Sequence, residues 1–295
     1  MEFLYSVSGV ADVGIKKSFL RKLWDGIIGV DTKEGFLVKP LGVAVDLRGR
    51  LYVTDTGARC VHVFDREKKK YRRITRTRGG WLRSPIAVAI GGDGKVYVTD
   101  SVLKEVVVYG PRGDVKFSIK GYFQRPTGIV ILDDRLYVVD TVGNKIRVFD
   151  LDGTFLFAFG RRGTQSGEFN FPVFAAASQY LYVTDAMNFR VQVLDDSGRV
   201  VYVFGEAGDV QGTFASPKGV AVDSEGHIYV ADALFDSFQI FDGTGMLLLV
   251  VGGFGHRDGE FWMPSGIYID KEDRIYVVDA LNRRVQVFQY LGNGE

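Results

Sequence analysis

Residues 264–288 read PSGIYIDKEDRIYVVDALNRRVQVF. Three short runs rich in Ile, Val, Tyr and Phe are separated by two polar turns, the pattern of antiparallel strands joined by tight connections. The proline stands just before the first run, where it deprives no ladder of a donor. Tyr276 lies in the second run, and Asp279 follows it by three residues. The third run is VQVF, residues 285–288.

The phrase recurs along the chain. Six of the seven prolines, Pro40, Pro85, Pro126, Pro172, Pro217 and Pro264, are spaced 45, 41, 46, 45 and 47 residues apart. A first strand follows each, clearest as GVAVD at 42–46. Next comes a strand with a Tyr and, three residues on, an Asp: Tyr52/Asp55, Tyr97/Asp100, Tyr137/Asp140, Tyr182/Asp185, Tyr229/Asp232 and Tyr276/Asp279. Third strands read VHVF (61–64), VVVY (106–109), IRVF (146–149), VQVL (191–194), FQIF (238–241) and VQVF. Turns such as GGDGK, DLDGT and DGTGM carry the Gly and Asp that tight hairpins require. A strand-rich repeat of this length is the signature of a β-propeller blade.

Fourth strands follow as YRRITRTRG (71–79), VKFSIKG (115–121), TFLFAFG (154–160), VVYVFG (200–205) and MLLLVVG (246–252). The sixth repeat has none, and FLYSVSG at 3–9 resembles TFLFAFG. The sequence therefore predicts an all-β fold, a six-bladed β-propeller of four-stranded antiparallel blades whose ring is closed by the N-terminal strand in the last blade. Blades are expected over 36–80, 85–121, 126–160, 172–205, 217–252, and 264–295 with 1–9. Closure removes the free sheet edge that would invite aggregation. Outside the repeat, Phe19, Leu20, Leu23, Trp24, Ile27 and Ile28 fall at helical spacing. They predict one short inserted amphipathic helix over 15–28, packed on the propeller; its basic residues leave a membrane-surface or partner-docking role open.

The 295 residues form one expected domain, because a closed ring is one cooperative unit. A net charge of +1 offers no global field for nucleic acid or anionic membrane. The single cysteine, Cys60, excludes an intramolecular disulfide and reads as a small buried residue. No apolar stretch is long enough to span a bilayer, and the N-terminus does not read as a secretory leader. A soluble bacterial monomer is expected, with the compartment open.

The string P-x-G-V-A-V-D…I-Y-V-x-D-x-x-N-x-R-V-Q-V-F resembles the NHL repeat, most closely over 264–288. The motif's Asn and Arg occur as Asn188 and Arg190, and as Asn282 and Arg284, and in shifted form as Asn144 and Lys145. The resemblance implies a six-bladed propeller of a mostly non-enzymatic family, whose members bind protein or RNA, act as sensors, or are secreted. Related propellers include metal-dependent lactonases and an amidating lyase. Fold alone does not choose among these.

The six Asp residues occur once per blade, so they read as loop acceptors, not as a catalytic carboxylate ring. His62, His227 and His256 form no ligand-spaced pair. No catalytic residue and no cofactor are assigned; a calcium ion held by oxygen ligands in the central channel leaves no spacing signature and stays open. Departures from the repeat on the loop-rich face give the binding candidates: Arg125, Phe171, Phe174, Phe189, Lys218, Phe235, Asp236, His256, Arg257, Trp262 and Met263. Each Phe reads first as a plug of the channel and second as a binding residue. A basic run over 66–78 contributes Lys68, Lys69, Lys70, Arg72, Arg73, Arg76 and Arg78, read either as a charged outer strand or as a contact for RNA or another anionic polymer. The favoured function is a non-enzymatic protein- or peptide-binding scaffold. The alternatives are a lactonase- or hydrolase-like enzyme with an oxygen-ligated metal, and nucleic-acid binding.

Overall fold

The computed structural model describes residues 1–15 and 35–291 of the chain. Six four-stranded antiparallel sheets form a ring of blades. β1 (Glu2–Val7) is followed by blade 1: β2 (Pro40–Val45), β3 (Leu51–Asp55), β4 (Cys60–Asp65) and β5 (Lys70–Ile74). A small hairpin, β6 (Arg76–Thr77) and β7 (Gly80–Trp81), leads into blade 2: β8 (Pro85–Ile90), β9 (Val96–Asp100), β10 (Glu105–Tyr109) and β11 (Val115–Ile119). Blade 3 is β12 (Pro126–Leu132), β13 (Arg135–Asp140), β14 (Lys145–Asp150) and β15 (Phe155–Phe159). Blade 4 is β16 (Pro172–Ala177), β17 (Leu181–Asp185), β18 (Arg190–Leu194) and β19 (Val200–Phe204). Blade 5 is β20 (Pro217–Val222), β21 (Ile228–Asp232), β22 (Ser237–Phe241) and β23 (Leu247–Gly252). Blade 6 is β24 (Pro264–Ile269), β25 (Arg274–Asp279) and β26 (Arg284–Gln289), with β1 as its fourth strand.

Ring closure follows the sequence expectation: Tyr5 pairs with Val287 and Val7 with Val285. Two details differ. Each proline is the first residue of its innermost strand, paired with the blade's Asp, and a register shift follows it. The connection from blade 1 to blade 2 also carries the β6–β7 hairpin, whose four paired residues are too few to leave a periodic signal. The helix expected over 15–28 falls, but for Ile15, outside the described residues. Among those residues no helix is long and apolar enough to cross a membrane.

Six hydrophobic clusters lie between the blades, one at each junction. Alternation along a strand divides its side chains between two of them. In β3, Leu51 and Val53 pack toward blade 6 while Tyr52 packs toward blade 2. This is why the second strands are apolar on both sides: successive side chains point to opposite faces, and both faces are covered. The buried tyrosines satisfy their hydroxyls at the hairpin-turn face, Tyr229 on Asp223 and Tyr276 on Asp270, both at 2.9 Å.

At the other face, Asp232 accepts backbone N–H bonds from Ala215 and Ser216, which lead into β20, and from Leu234 and Phe235 beyond β21. Asp232→Ala leaves these donors without an acceptor and is expected to cost upwards of about 3 kcal/mol in urea unfolding, with Asp232→Asn costing less. A loss of under about 1 kcal/mol in the Ala variant would contradict this role of the carboxylate.

Candidate functional site: the loop-rich face

Every blade repeats that carboxylate clamp. Asp55, Asp100, Asp140, Asp185, Asp232 and Asp279 have no exposed surface. Each accepts from the chain just before its blade's proline: Asp55 from Val38 and Lys39, Asp100 from Arg83 and Ser84, Asp140 from Gln124 and Arg125, Asp185 from Asn170, and Asp279 from Trp262. A reciprocal bond runs from the loop after the Asp back to the same segment, as in Ala233 N–H to the Ser216 carbonyl, 3.0 Å. The two loop sets thus meet on one face, and the six carboxylates are spent holding them together. At Asp55 burial pushes the pKa up, but the His62 imidazole 3.4 Å away and the N–H bonds from Val38, Ala58 and Lys39 outweigh it and hold the carboxyl below its ordinary value.

Three loops on this face share a second device. In 160–169, 205–214 and 252–261 a positive-φ glycine opens the loop and a fully buried Phe169, Phe214 or Phe261 closes it. A Cβ on Gly160, Gly205 or Gly252 would lie 2.6, 2.3 or 2.4 Å from that ring. Gln192, Gln239 and Gln286 reach across from the third strands, each accepting from a loop N–H at Gly167, Gly212 or Gly259 and donating to a loop carbonyl. Arg190 and Arg284 do more. Arg284 Nε donates to Asp279 at 2.7 Å, and its Nη2 donates to the carbonyls of Arg257 and Glu260. Arg190 makes the corresponding bonds to Asp185 and to the carbonyls of Thr164, Gln165 and Glu168.

This scaffold decides where the predicted candidates fall. His256 and Trp262 come together with Phe254, which was not among the sequence candidates. The rings stand edge-to-face with centroids 6.0 Å apart for Phe254–His256 and Phe254–Trp262, and 5.5 Å for His256–Trp262. His256 Nδ1 is 2.6 Å from Asn282 Oδ1, while Asn282 Nδ2 donates to Gly255 and Asp279. The Asn oxygen is therefore the acceptor, and Nδ1 carries the hydrogen. Arg257 is exposed beside this cluster, its carbonyl held by Arg284. Asp236 accepts the Met263 N–H at 2.7 Å, and Asn144 accepts the Phe171 N–H at 2.9 Å, so both polar side chains pin the next blade. Phe171 and Met263 have positive φ and are 38% and 39% exposed. Phe189 packs on the junction of blades 4 and 5, Phe235 is half-buried, and Arg125 is exposed on blade 3. Of the four phenylalanines only Phe174 lines the channel, at the position where blades 1, 3, 5 and 6 have glycine.

One group of residues escaped the sequence reading. The second residue after the Asp is apolar in five blades: Val102, Val142, Met187, Leu234 and Leu281, between 41% and 64% exposed. With Phe171, Phe254, Trp262 and Met263 they form an apolar crown around the loop-rich face. Its signal was present in the period of the repeat, but a lone Val or Leu in a loop carries no mark of exposure.

The channel is a cavity of about 260 Å³ walled by Gly, Ala, Val and Ile of all six inner strands, with Phe174 and Tyr268. Its wall offers no carboxylate to a calcium ion, and among the described residues no three His, Cys, Asp or Glu side chains converge as a metal site. His62 is buried with Nδ1 2.9 Å from the Tyr71 hydroxyl, and His227 Nδ1 is 2.9 Å from Asp223. Burial pushes the Cys60 thiol up to about 12, which makes it unreactive.

The profile of the NHL repeat matches residues 37–64, 214–241 and 261–288, in blades 1, 5 and 6. The chain carries NHL repeats at three sites in a six-bladed propeller. A comparison with curated proteins finds no match in sequence. Solved structures with the same architecture include virginiamycin B lyase from Staphylococcus aureus, at 14% identity and TM-score 0.62 over 86% of this chain and 85% of that one. A gluconolactonase from Xanthomonas campestris shares 15% identity at TM-score 0.65, covering 85% and 86% of the two chains. An auxiliary nutrient binding protein from Bacteroides thetaiotaomicron shares 15% at TM-score 0.66, covering 85% and 69%. At such identities the likeness carries the fold alone.

The basic strand of blade 1 lies away from this cluster. Lys68, Lys69 and Lys70 are exposed at the β4–β5 turn, on the opposite face. Arg72 donates to the Pro111 carbonyl at 3.1 Å, Arg78 to that of Lys116, and the Arg76 guanidinium lies 3.7 Å from the Trp81 ring centroid. Arg73 is on β5, exposed. Arg72 and Arg78 therefore tie blade 1 to blade 2.

Because Arg284 joins Asp279 to the carbonyls of Arg257 and Glu260, Arg284→Met is expected to destabilise by about 3–5 kcal/mol. Hydrogen exchange should quicken at the amides of 255–260 while those of 208–213, which have no such arginine, stay unchanged. Equal protection of 255–260 in both proteins would remove the clamp from the account.

Proposed function

We propose that this NHL propeller is a binding module that captures a protein or peptide partner on its loop-rich face, across blades 4 to 6. The apolar crown carries the reading, with the Phe254–His256–Trp262 cluster as its anchor. Contiguous exposed apolar side chains on a folded surface mark interaction sites, and Trp is enriched among residues that dominate binding energy. The loops that present the cluster are clamped by Asp279, Arg284 and Gln286, so little ordering entropy remains to be lost on association. The basic strand supports nucleic-acid binding less well, since Arg72, Arg76 and Arg78 are engaged within the fold. A metal-dependent hydrolase reading finds little support in an aliphatic channel.

Selection of displayed random peptides on the purified protein tests the proposal. Binders are expected to lose about tenfold or more in affinity, by fluorescence polarisation, on the Phe254→Ala/Trp262→Ala double variant with its melting temperature unchanged. Leu248→Ala on the outer strand should leave them unaffected. Peptides that bind the double variant as tightly as the native protein would refute this site.

A further inference from the structure

The second residues of the six innermost strands, Leu41, Ile86, Thr127, Val173, Lys218 and Ser265, stand one or two residues before the channel lining, at its loop-rich end. Neighbouring blades touch there. Ser265 Oγ donates to the Leu41 carbonyl at 2.9 Å, and Thr54 and Thr99 donate to the carbonyls of Ile86 and Thr127 in the following blade. A Cβ on Gly219, next to Lys218, would lie 2.5 Å from the Ser265 carbonyl. Lys218 is the only charged member of this ring.

Lys218 is half-buried and has no hydrogen bond or ion pair with any described residue. The charge that acts on it is Asp232, whose oxygens are already taken by four backbone donors. Its ring neighbours are Val173, which has no polar side-chain atom, and Ser265, whose hydroxyl is spent on the Leu41 carbonyl; Thr127, two blades away, bonds to Thr141. Burial pushes the lysine pKa down, as expected of an ammonium removed from water without a counter-ion. Such a group is costly unless an anion arrives from outside. Beyond the ring the side chains of the channel wall are aliphatic but for Phe174 and Tyr268, set between the free backbone edges of the six inner strands, so the rest of such a ligand meets apolar side chains.

We infer that Lys218 and the adjoining channel form a binding site for a small apolar monocarboxylate, with the carboxylate on Nζ and the hydrocarbon against the aliphatic wall. One cation matches one carboxylate, and a phosphate or sugar would find too few donors here. The site goes beyond the partner-binding reading and stands without it, because it uses neither the apolar crown nor the ring cluster around Trp262.

Octanoate is the probe, titrated calorimetrically into the full chain. Saturable binding is expected at one site per chain, weakened about tenfold or more by Lys218→Met and largely kept by Lys218→Arg, as a charge-assisted hydrogen bond requires. At alkaline pH, titrations in two buffers of different ionisation enthalpy should show proton uptake with the native protein, because the carboxylate raises the depressed lysine pKa, and none with Lys218→Met. Octan-1-ol should bind native protein and Lys218→Met alike. Absence of saturable octanoate binding, or equal octanoate affinity in the native protein and Lys218→Met, overturns the proposal. If Lys218→Met fails to fold, octanoate binding no tighter than octan-1-ol on the native protein overturns it equally.

Discussion

A buried carboxylate at the end of each second strand holds this molecule in register. It has no exposed surface in any blade, and it must be paired, because an isolated charge in the interior costs far more than a folded protein can spare. Backbone N–H groups from two loops far apart in sequence supply the pairing. The result is reciprocal: the loops satisfy the charge, and the charge satisfies donors of the segment before each proline that would otherwise be stranded. Blades differ in which side chains assist. Asp100 and Asp232 rely on backbone alone, whereas Asp185 and Asp279 add Asn, Arg and Gln.

That difference breaks the symmetry of the ring. Blades with the arginine have loops tied at several points, and the loop leading into blade 6 uses the support to present Phe254, His256 and Trp262. Blade 5 has Ser237 where the arginine would be, and keeps its register through Asp236 and Gln239 instead. Rigidity and exposure are therefore coupled: a loop can show large apolar side chains to solvent only when its backbone is bonded elsewhere. The same bonds withdraw Asn282 and the six carboxylates from any chemistry with a ligand.

The outer strands follow a separate logic. Blade 1 ends in a charged strand, KYRRI, whose arginines reach the carbonyls of blade 2, while blade 5 ends in LLLVVG with Leu248 and Leu249 about half exposed. Charge on an outer strand discourages pairing with other chains, and at blade 1 it also ties neighbouring blades together. Arg72, Arg76 and Arg78 are thus engaged within the fold, while Lys68, Lys69 and Lys70 stand exposed at the turn.

Much of the architecture was legible in the chain itself. Prolines in register, the Tyr-Val-x-Asp strands and the likeness of 3–9 to a fourth strand are local patterns with fixed period, so blade number, closure and the loop-acceptor role of the Asp residues could be read directly. What the letters did not reveal depends on loops meeting in space. Asp236 accepts the Met263 N–H of the next blade, a bond its place in the sequence does not announce; Phe254, two residues before His256, is 65% exposed against 38% for Trp262. The apolar crown, and the solitary position of Lys218 among aliphatic and hydroxyl neighbours, emerge only when residues some 45 positions apart are brought around one axis. Sequence determined the repeating unit because hydrogen-bonding and alternation act over a few residues. Tertiary structure decided the surface, because exposure and charge pairing are properties of neighbours that the chain order does not name.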